Sequence, residues 1–233
     1  MKKFQIISLP ADFKIVMNSP LKERHLSPLH LERIESIWAN ERIRTKEKLF
    51  NGKIFCVDQL EEKQLCGHFE EYKYYLSQVR DPLLLETLQL HPLCICSYTC
   101  AGNLVLIGKR AGHVTEYPHF YELVPAGGLD PSSTHLGQVD IVKQWKTELK
   151  EEAGIEEEMI LSITPQFLIL DAESPNYEIC ARVELDTCVL NKQAERDEEY
   201  THLYWIPKKE LPSFIHDHRA EILPLSLKIL EVF

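Results

Sequence analysis

Three glutamates within residues 140–155, DIVKQWKTELKEEAGI, are spaced so that they can act together. Glu148, Glu151 and Glu152 stand at i, i+3 and i+4, and on a helix that spacing brings three carboxylates to a common face. Like charges so placed repel. A divalent cation turns the repulsion into attraction, and hard carboxylate oxygens suit magnesium or manganese. The helix is written in the same stretch. Ile141, Trp145 and Leu149 recur every four residues along one face. Asp140 sits where an N-cap belongs, and Gly154 where a helix commonly stops. Taken alone, the stripe is better explained as a solvated acidic face, because Glu and Lys are ordinary residues of helix surfaces. The surrounding chain has to tip the balance.

The elements that must position these residues follow from the rest of the pattern. Residues 4–18 suggest two short strands around Pro10. Leu31, Ile34, Ile37 and Trp38 fall at helical spacing, with core packing the plain role for Trp38. KIFCVDQL and KQLCGHFEEY read as strands joined at Glu61–Glu62, followed by helix with a break at Asp81–Pro82. Up to about residue 90 the chain is therefore a smaller α/β amino-terminal lobe. From His91 the pattern changes. LCICSYT and NLVLIGKR are strands around a tight turn at residues 101–103. FYELVP is a third strand and runs into Ala126-Gly127-Gly128, whose glycines allow close approach of a ligand. A polar stretch then leads to the acidic helix. Three more strands follow, MILSITPQFLIL, YEICARVEL and HLYWIP, and AEILPLSLKILEVF is read as an apolar helix kinked or restarted at Pro224. The β-β-β-α-β-β-β-α order from residue 91 to 233 predicts an α+β sandwich, not a doubly wound sheet.

Composition narrows the function. The formal net charge is -10, which argues against nonspecific nucleic-acid binding, a process driven by Lys and Arg on phosphates. No stretch approaches membrane-spanning length, and the opening segment, broken by Pro10 and Asp12, lacks the form of a secretory signal. The protein is expected in the cytoplasm. Seven cysteines show no C-x2-C pair and no paired histidine spacing, so buried reduced thiols are expected and a zinc site is not.

With these residues in place the chain resembles a family. The Nudix hydrolases carry a box G-x5-E-x7-R-E-U-x-E-E-x-G-U, where U is a bulky aliphatic. Glu148-Leu149-Lys150-Glu151-Glu152-Ala153-Gly154-Ile155 matches its whole second half, and Val124-Pro125-Ala126-Gly127-Gly128 looks like its opening. The first half departs. Thr147 stands where the arginine belongs, no glutamate holds the x5-E position, and Gly128 to Thr147 spans 19 positions, about five more than the pattern allows. The Glu–Arg brace of the loop is thus missing, and Asp140 capping the helix is the candidate substitute. Outside the box, Arg33–Trp38 and Leu49–Phe55 look like the amino-terminal part of Nudix proteins that hydrolyse UDP-glucose and UDP-galactose.

The resemblance implies a Nudix-type α/β/α sandwich with a mixed sheet. It implies magnesium- or manganese-dependent cleavage of a small nucleoside diphosphate sugar, giving UMP and sugar 1-phosphate. Glu148, Glu151 and Glu152 would be the metal ligands, with the backbone around Ala126 to Leu129 adding a carbonyl. It places the general base in the loop before HLYWIP, so Glu199 is the first candidate, ahead of Glu198 and Glu195, with Asp197 in the same loop. Glu152 or Glu148 acting as base is the alternative. Lys109 and Arg110 end a strand and are candidates to grip phosphate, Arg bidentately; a plain surface strand end explains them equally. Phe50 can stack on uracil and Asn51 can pair with its edge, but packing and a turn account for both more simply. His216-Asp217-His218 reads as a polar loop. The rival readings are a Nudix hydrolase for ADP-ribose or another nucleotide, and an inactive Nudix-fold binding module. The intact carboxylate set argues against the last.

Overall fold

The computed structural model describes residues 4–18, 25–171, 176–191 and 198–233. In chain order the elements are β1 (Phe4–Ser8), β2 (Lys14–Met17), α1 (Pro28–Arg44), β3 (Lys53–Leu60), β4 (Gln64–Glu71), α2 (Tyr72–Arg80) and α3 (Pro82–Leu88). Then come β5 (Leu93–Ala101), β6 (Leu104–Arg110), β7 (Tyr121–Leu123), β8 (Ala126–Gly128), β9 (Thr134–His135), β10 (Gln138–Val139) and α4 (Ile141–Ala153). The chain closes with β11 (Ile160–Asp171), β12 (Tyr177–Leu185), β13 (Tyr200–Pro207), α5 (Leu211–His218) and α6 (Pro224–Leu230).

Eight strands form a mixed sheet in the order β1-β11-β12-β5-β6-β13, with β7 on β6 and β8 on β5. The β5–β12 pair is parallel and its neighbours are antiparallel. After the turn at Gly102, whose φ is +58°, β6 pairs with only the last two residues of β5. The two strands then diverge, and β7–β8 fills the gap. Gly127 pairs with Ile95 on one side, while Glu122 pairs with Gly108 on the other. The glycine strand is therefore wedged into the middle of the sheet.

Strand alternation sends side chains to two cores. One face packs Ile95, Leu106, Val124 and Leu168 against Trp145 and Leu149 of α4, together with Phe55 and Leu65 of the second sheet. The opposite face packs Cys96, Val105, Ile107 and Cys180 against Leu211 and Ile229 of α5 and α6. Helices thus cover both faces of a mixed sheet, the expected α/β/α layering. A third cluster, including Ile34, Tyr75 and Leu84, lies under α1 to α3.

The second sheet has five strands in the order β3-β4-β2-β10-β9. It takes strands from both sides of residue 90. The stretch read as a polar loop before the acidic helix contains the β9–β10 hairpin, and Gln138 of β10 pairs with Val16 of β2. Two further expectations change. His216, Asp217 and His218 belong to helix α5, which starts at Leu211 with Pro212 in its first turn. The last helix is confined to Pro224–Leu230. On α1 only Ile34 is fully buried; Leu31 is exposed, and Trp38 is half-buried with its ring edge-on to Tyr72 at 6.5 Å. Cys56, Cys96, Cys100 and Cys180 are buried, as expected, but Cys188 is exposed. No helix of the described residues is long and apolar enough to cross a membrane.

Candidate active site

Helix α4 is fixed at both ends. Asp140 Oδ1 accepts from the Lys143 backbone N–H at 3.1 Å. Gly154, at φ 62°, ends the helix with its N–H on the Lys150 carbonyl. Trp145, Leu149 and Ala153 are buried at four-residue spacing, and Trp145 Nε1 donates to the Cys96 carbonyl at 3.2 Å. This sets the rotation of the helix. Glu148 and Glu152, flanking the apolar stripe, turn toward β8, whereas Glu151 remains exposed.

The glycine strand touches both inward carboxylates. A Cβ on Gly127 would lie 2.5 Å from Glu148 Oε1, so any larger residue there would push the Glu148 carboxylate from its place. Gly128 is not so constrained, its nearest neighbour being Ile54 Cγ2 at 3.7 Å. Glu152 Oε2 accepts from the Ala126 N–H at 3.3 Å. Gln144, one turn before Glu148, is 1% exposed and uses both ends of its amide. Its Nε2 donates to Glu148 Oε1 at 2.8 Å and to Asp130 Oδ2 at 3.4 Å, and its Oε1 accepts from Asp130 N–H at 3.4 Å. Gln144 therefore joins the loop after the glycines to the helix, where the family's box would use its Glu–Arg brace.

Strands β6, β7 and β13 complete the site. Arg110 and Glu122 are paired, and the Tyr200 hydroxyl donates to Glu122 Oε2 at 3.1 Å. Arg110 also reaches Glu199 Oε1 at 3.2 Å, and the Glu199 carbonyl accepts from Ala111 N–H at 2.7 Å. Alternation explains why Lys109 is absent from this group. It faces the other side of β6, over the Tyr121 ring and paired with Glu221 at 3.0 Å.

Burial raises the Glu148 carboxyl to about 7, opposed by the Gln144 hydrogen bond and reinforced by the charges of Glu151, Glu199 and Asp130. Glu152 is pushed well up by burial, then by Glu148, Glu199 and Glu122. Burial opposes the charge of Arg110, but Glu122 and Glu199 more than restore it. Among the described residues the donors to Glu148 and Glu152 are thus a glutamine and a backbone amide, with no cation paired to either. Among the described residues no group of three or more His, Cys, Asp or Glu side chains is gathered as a metal site. The donor chemistry nonetheless fits a hard divalent cation: oxygens of the buried Glu152 and the half-buried Glu148, which lack a counter-charge among the described residues.

A cavity of about 940 Å³ is lined by Arg110, Glu122, Gly127, Gly128 and Glu199; Glu148 and Glu152 are not in its lining and adjoin it through Gly127 and Ala126. The other expected contacts are not brought to it. Phe50 is 82% exposed, because its side chain caps no core in the α1–β3 connection. Asn51 instead ties that connection to α2, donating to Glu71 Oε2 at 2.8 Å and accepting from Lys73 N–H at 2.9 Å. Glu198 lines the cavity but is ion-paired to Lys48, which lowers its pKa. Glu195 and Asp197 lie outside the described residues. Gln144, Glu122 and Tyr200 are additions to the sequence reading. For Gln144 a signal existed, a polar residue one helical turn before Glu148. Replacing it with Leu is expected to cost roughly 1–3 kcal/mol, since Asp130 N–H and Glu148 both lose a buried partner. Urea unfolding measures this, and an unchanged midpoint would show that the contacts contribute nothing.

No protein-family model matches the chain, and no curated protein matches it. Solved structures with a related shape do. Tm1382, described as a candidate Nudix hydrolase, matches at 17% identity and TM-score 0.49, over 84% of this chain and 96% of that chain. A Nudix hydrolase from Nitrosomonas europaea matches at 18% identity and TM-score 0.42, over 58% of this chain and 65% of that chain. An Ap4A hydrolase from C. elegans matches at 16% identity and TM-score 0.40, over 60% of this chain and 92% of that chain. These scores are too low to carry an argument about chemistry, which rests on the residues of α4, β8 and the Glu199 turn.

Proposed function

We propose that the chain is a Nudix-type, magnesium-dependent pyrophosphatase acting on UDP-sugars. The observation that carries this reading is the pair Glu148–Glu152: one half-buried and one buried carboxylate, with no cation paired to either among the described residues, set against Gly127 and Ala126, with Glu199 close enough to raise both. Burying such charges unpaired is costly unless a ligand supplies the missing positive charge. A diphosphate substrate has the matching problem, since its own negative charge repels a nucleophile. Glu148 and Glu152, with Glu151 at the rim, would hold magnesium, which would supply the positive charge that both sides need.

The chain's own residues do the rest. Gly127 lets the backbone and a phosphate come close to Glu148 without a side chain intervening. Glu199 is the general base. It accepts the proton of water as the water oxygen bonds to phosphorus and the bridging P–O bond breaks. Arg110 holds Glu199 in place and faces the same cavity. The products are UMP and a sugar 1-phosphate. The uridine and hexose are proposed from the likeness of Arg33–Trp38 and Leu49–Phe55 to the UDP-sugar enzymes.

The test is hydrolysis of a panel of nucleoside diphosphate compounds with magnesium, followed by phosphomonoester release. UDP-glucose or UDP-galactose turned over well above ADP-ribose is the expected result. ADP-ribose as the better substrate would replace the substrate assignment. Binding without turnover of any compound would replace the enzyme by a ligand-binding module.

A further inference from the structure

The cavity is larger than a diphosphate needs, and it continues away from the carboxylates. Its floor is a row of residues in register across three strands: Gly128 of β8 pairs with Cys94 of β5, and Cys94 with Glu178 of β12. Neighbouring strands lie about 4.8 Å apart, so Glu178 stands roughly 10 Å from the glycine strand. All three line the cavity. Tyr72 and Tyr75 of α2 also line it, and Asn176 Nδ2 donates to the Tyr75 hydroxyl at 3.0 Å.

Glu178 is an anomaly in this setting. Burial raises its pKa, and Glu122, the Cys180 thiol, Glu116 and Asp171 raise it further. Its side chain nevertheless borders open volume. A carboxylate in such a place is an acceptor awaiting donors. The surrounding negative groups exclude a further anion. Two adjacent hydroxyls match the two oxygens of one carboxylate, and the carbon face of a sugar suits a tyrosine ring.

Accepting the hydrolase reading for the position of the diphosphate, we infer that Glu178, which lines the cavity together with Tyr72 and Tyr75, is the subsite for a vicinal diol of the group attached to that diphosphate. The diol belongs to a ribose or to a pyranose. Either reaches across one strand from a phosphate held at Gly127 and Gly128. The diphosphate and the diol then occupy opposite ends of one floor, and the ligand is read at both ends.

Calorimetry separates the ends. Wild type, Glu178→Leu and Glu178→Gln are titrated with UDP-glucose, UDP, 2′-deoxy-UDP and inorganic pyrophosphate. Glu178→Leu is expected to weaken UDP-glucose at least about tenfold and to leave pyrophosphate within about twofold. Equal weakening of UDP, with 2′-deoxy-UDP already weak in wild type, assigns the ribose; unaltered UDP assigns the pyranose. The inference is overturned if UDP-glucose binds the variant as it binds wild type, if pyrophosphate weakens in parallel, or if wild type binds none of the four. If Glu178→Leu does not fold, as judged by circular dichroism, Glu178→Gln keeps the volume and must give the same ranking. Hydrolysis is assayed on the same samples. Glu178-dependent binding without any turnover overturns the hydrolase and leaves the subsite standing.

Discussion

Glu152→Gln is expected to lower hydrolysis by at least about a thousandfold, several kcal/mol of lost transition-state stabilisation, while the protein folds as before or melts higher. The two halves of this expectation share one cause. Glu152 is 2% exposed, and its recorded partner is the Ala126 N–H. Glutamine retains an oxygen to accept that bond and removes a charge that the interior does not neutralise. The fold loses nothing and is relieved of an uncompensated carboxylate. Function loses the negative oxygen that a cation requires. Steady-state kinetics and a thermal melt on one preparation decide the matter. Activity within tenfold of wild type would remove Glu152 from the metal site, and a lowered melting point would mean that the native charge has a partner.

The second large effect is a pH dependence that magnesium should reduce. The folded-state pKa of Glu148 is raised from 4.5 to about 7, and that of Glu152 is raised well above 4.5. For a raised pKa the folded state holds the proton more tightly than the unfolded chain. The stability this contributes is complete below the unfolded value and is lost as pH rises through the folded one. Between pH 6 and 8 the ordinary carboxylates stay ionised in both states, so the raised glutamates set the carboxylate part of the trend: Glu148 and Glu152 in the site, and Glu178, which magnesium at the site does not relieve. Without metal, stability is expected to fall over that range, by at least about 1 kcal/mol from Glu148 alone, a drop of at least about 2 °C in melting temperature. Added magnesium should restore the share of Glu148 and Glu152 at pH 8 and little at pH 6, because only the ionised pair binds it. Calorimetric melts with chelator and with magnesium at the two pH values test this. A magnesium effect independent of pH would place the cation elsewhere.

How much of this was legible in the sequence depends on how local each feature is. The helix carrying Glu148, Glu151 and Glu152 is encoded within itself, in its apolar period, its cap and its terminal glycine, and its bounds were read almost to the residue. Which carboxylates turn inward was not legible. The motif treats the three alike, and only the docking of Trp145 and Leu149 leaves Glu151 exposed. The grouping of Arg110 with Glu122, Tyr200 and Glu199 depends on register across β6, β7 and β13, set by connections with no local signature. The same register separates Lys109 from Arg110, neighbours that the sequence offered as a pair. The β9–β10 hairpin was hidden because its turn places Leu136 at φ 50° before Gly137 at φ 76°. A leucine there gives no turn signal, and Leu136 is 90% exposed.

That hairpin ties the start of α4 to the far side of the molecule. The extra length of the loop after the glycines does not hang free. Met17 N–H bonds the Gly137 carbonyl at 3.0 Å, and Asp140 N–H bonds the Ser133 carbonyl at 2.7 Å, so β2 grips the hairpin and the hairpin grips the helix cap. In mechanical terms the helix is a beam clamped at both ends, by the amino-terminal sheet at Asp140 and by Gly154 at the other. A longer loop usually loosens what it connects. Here the added residues form a splice, and the stiffness of the carboxylate site is borrowed from strands laid down near the start of the chain.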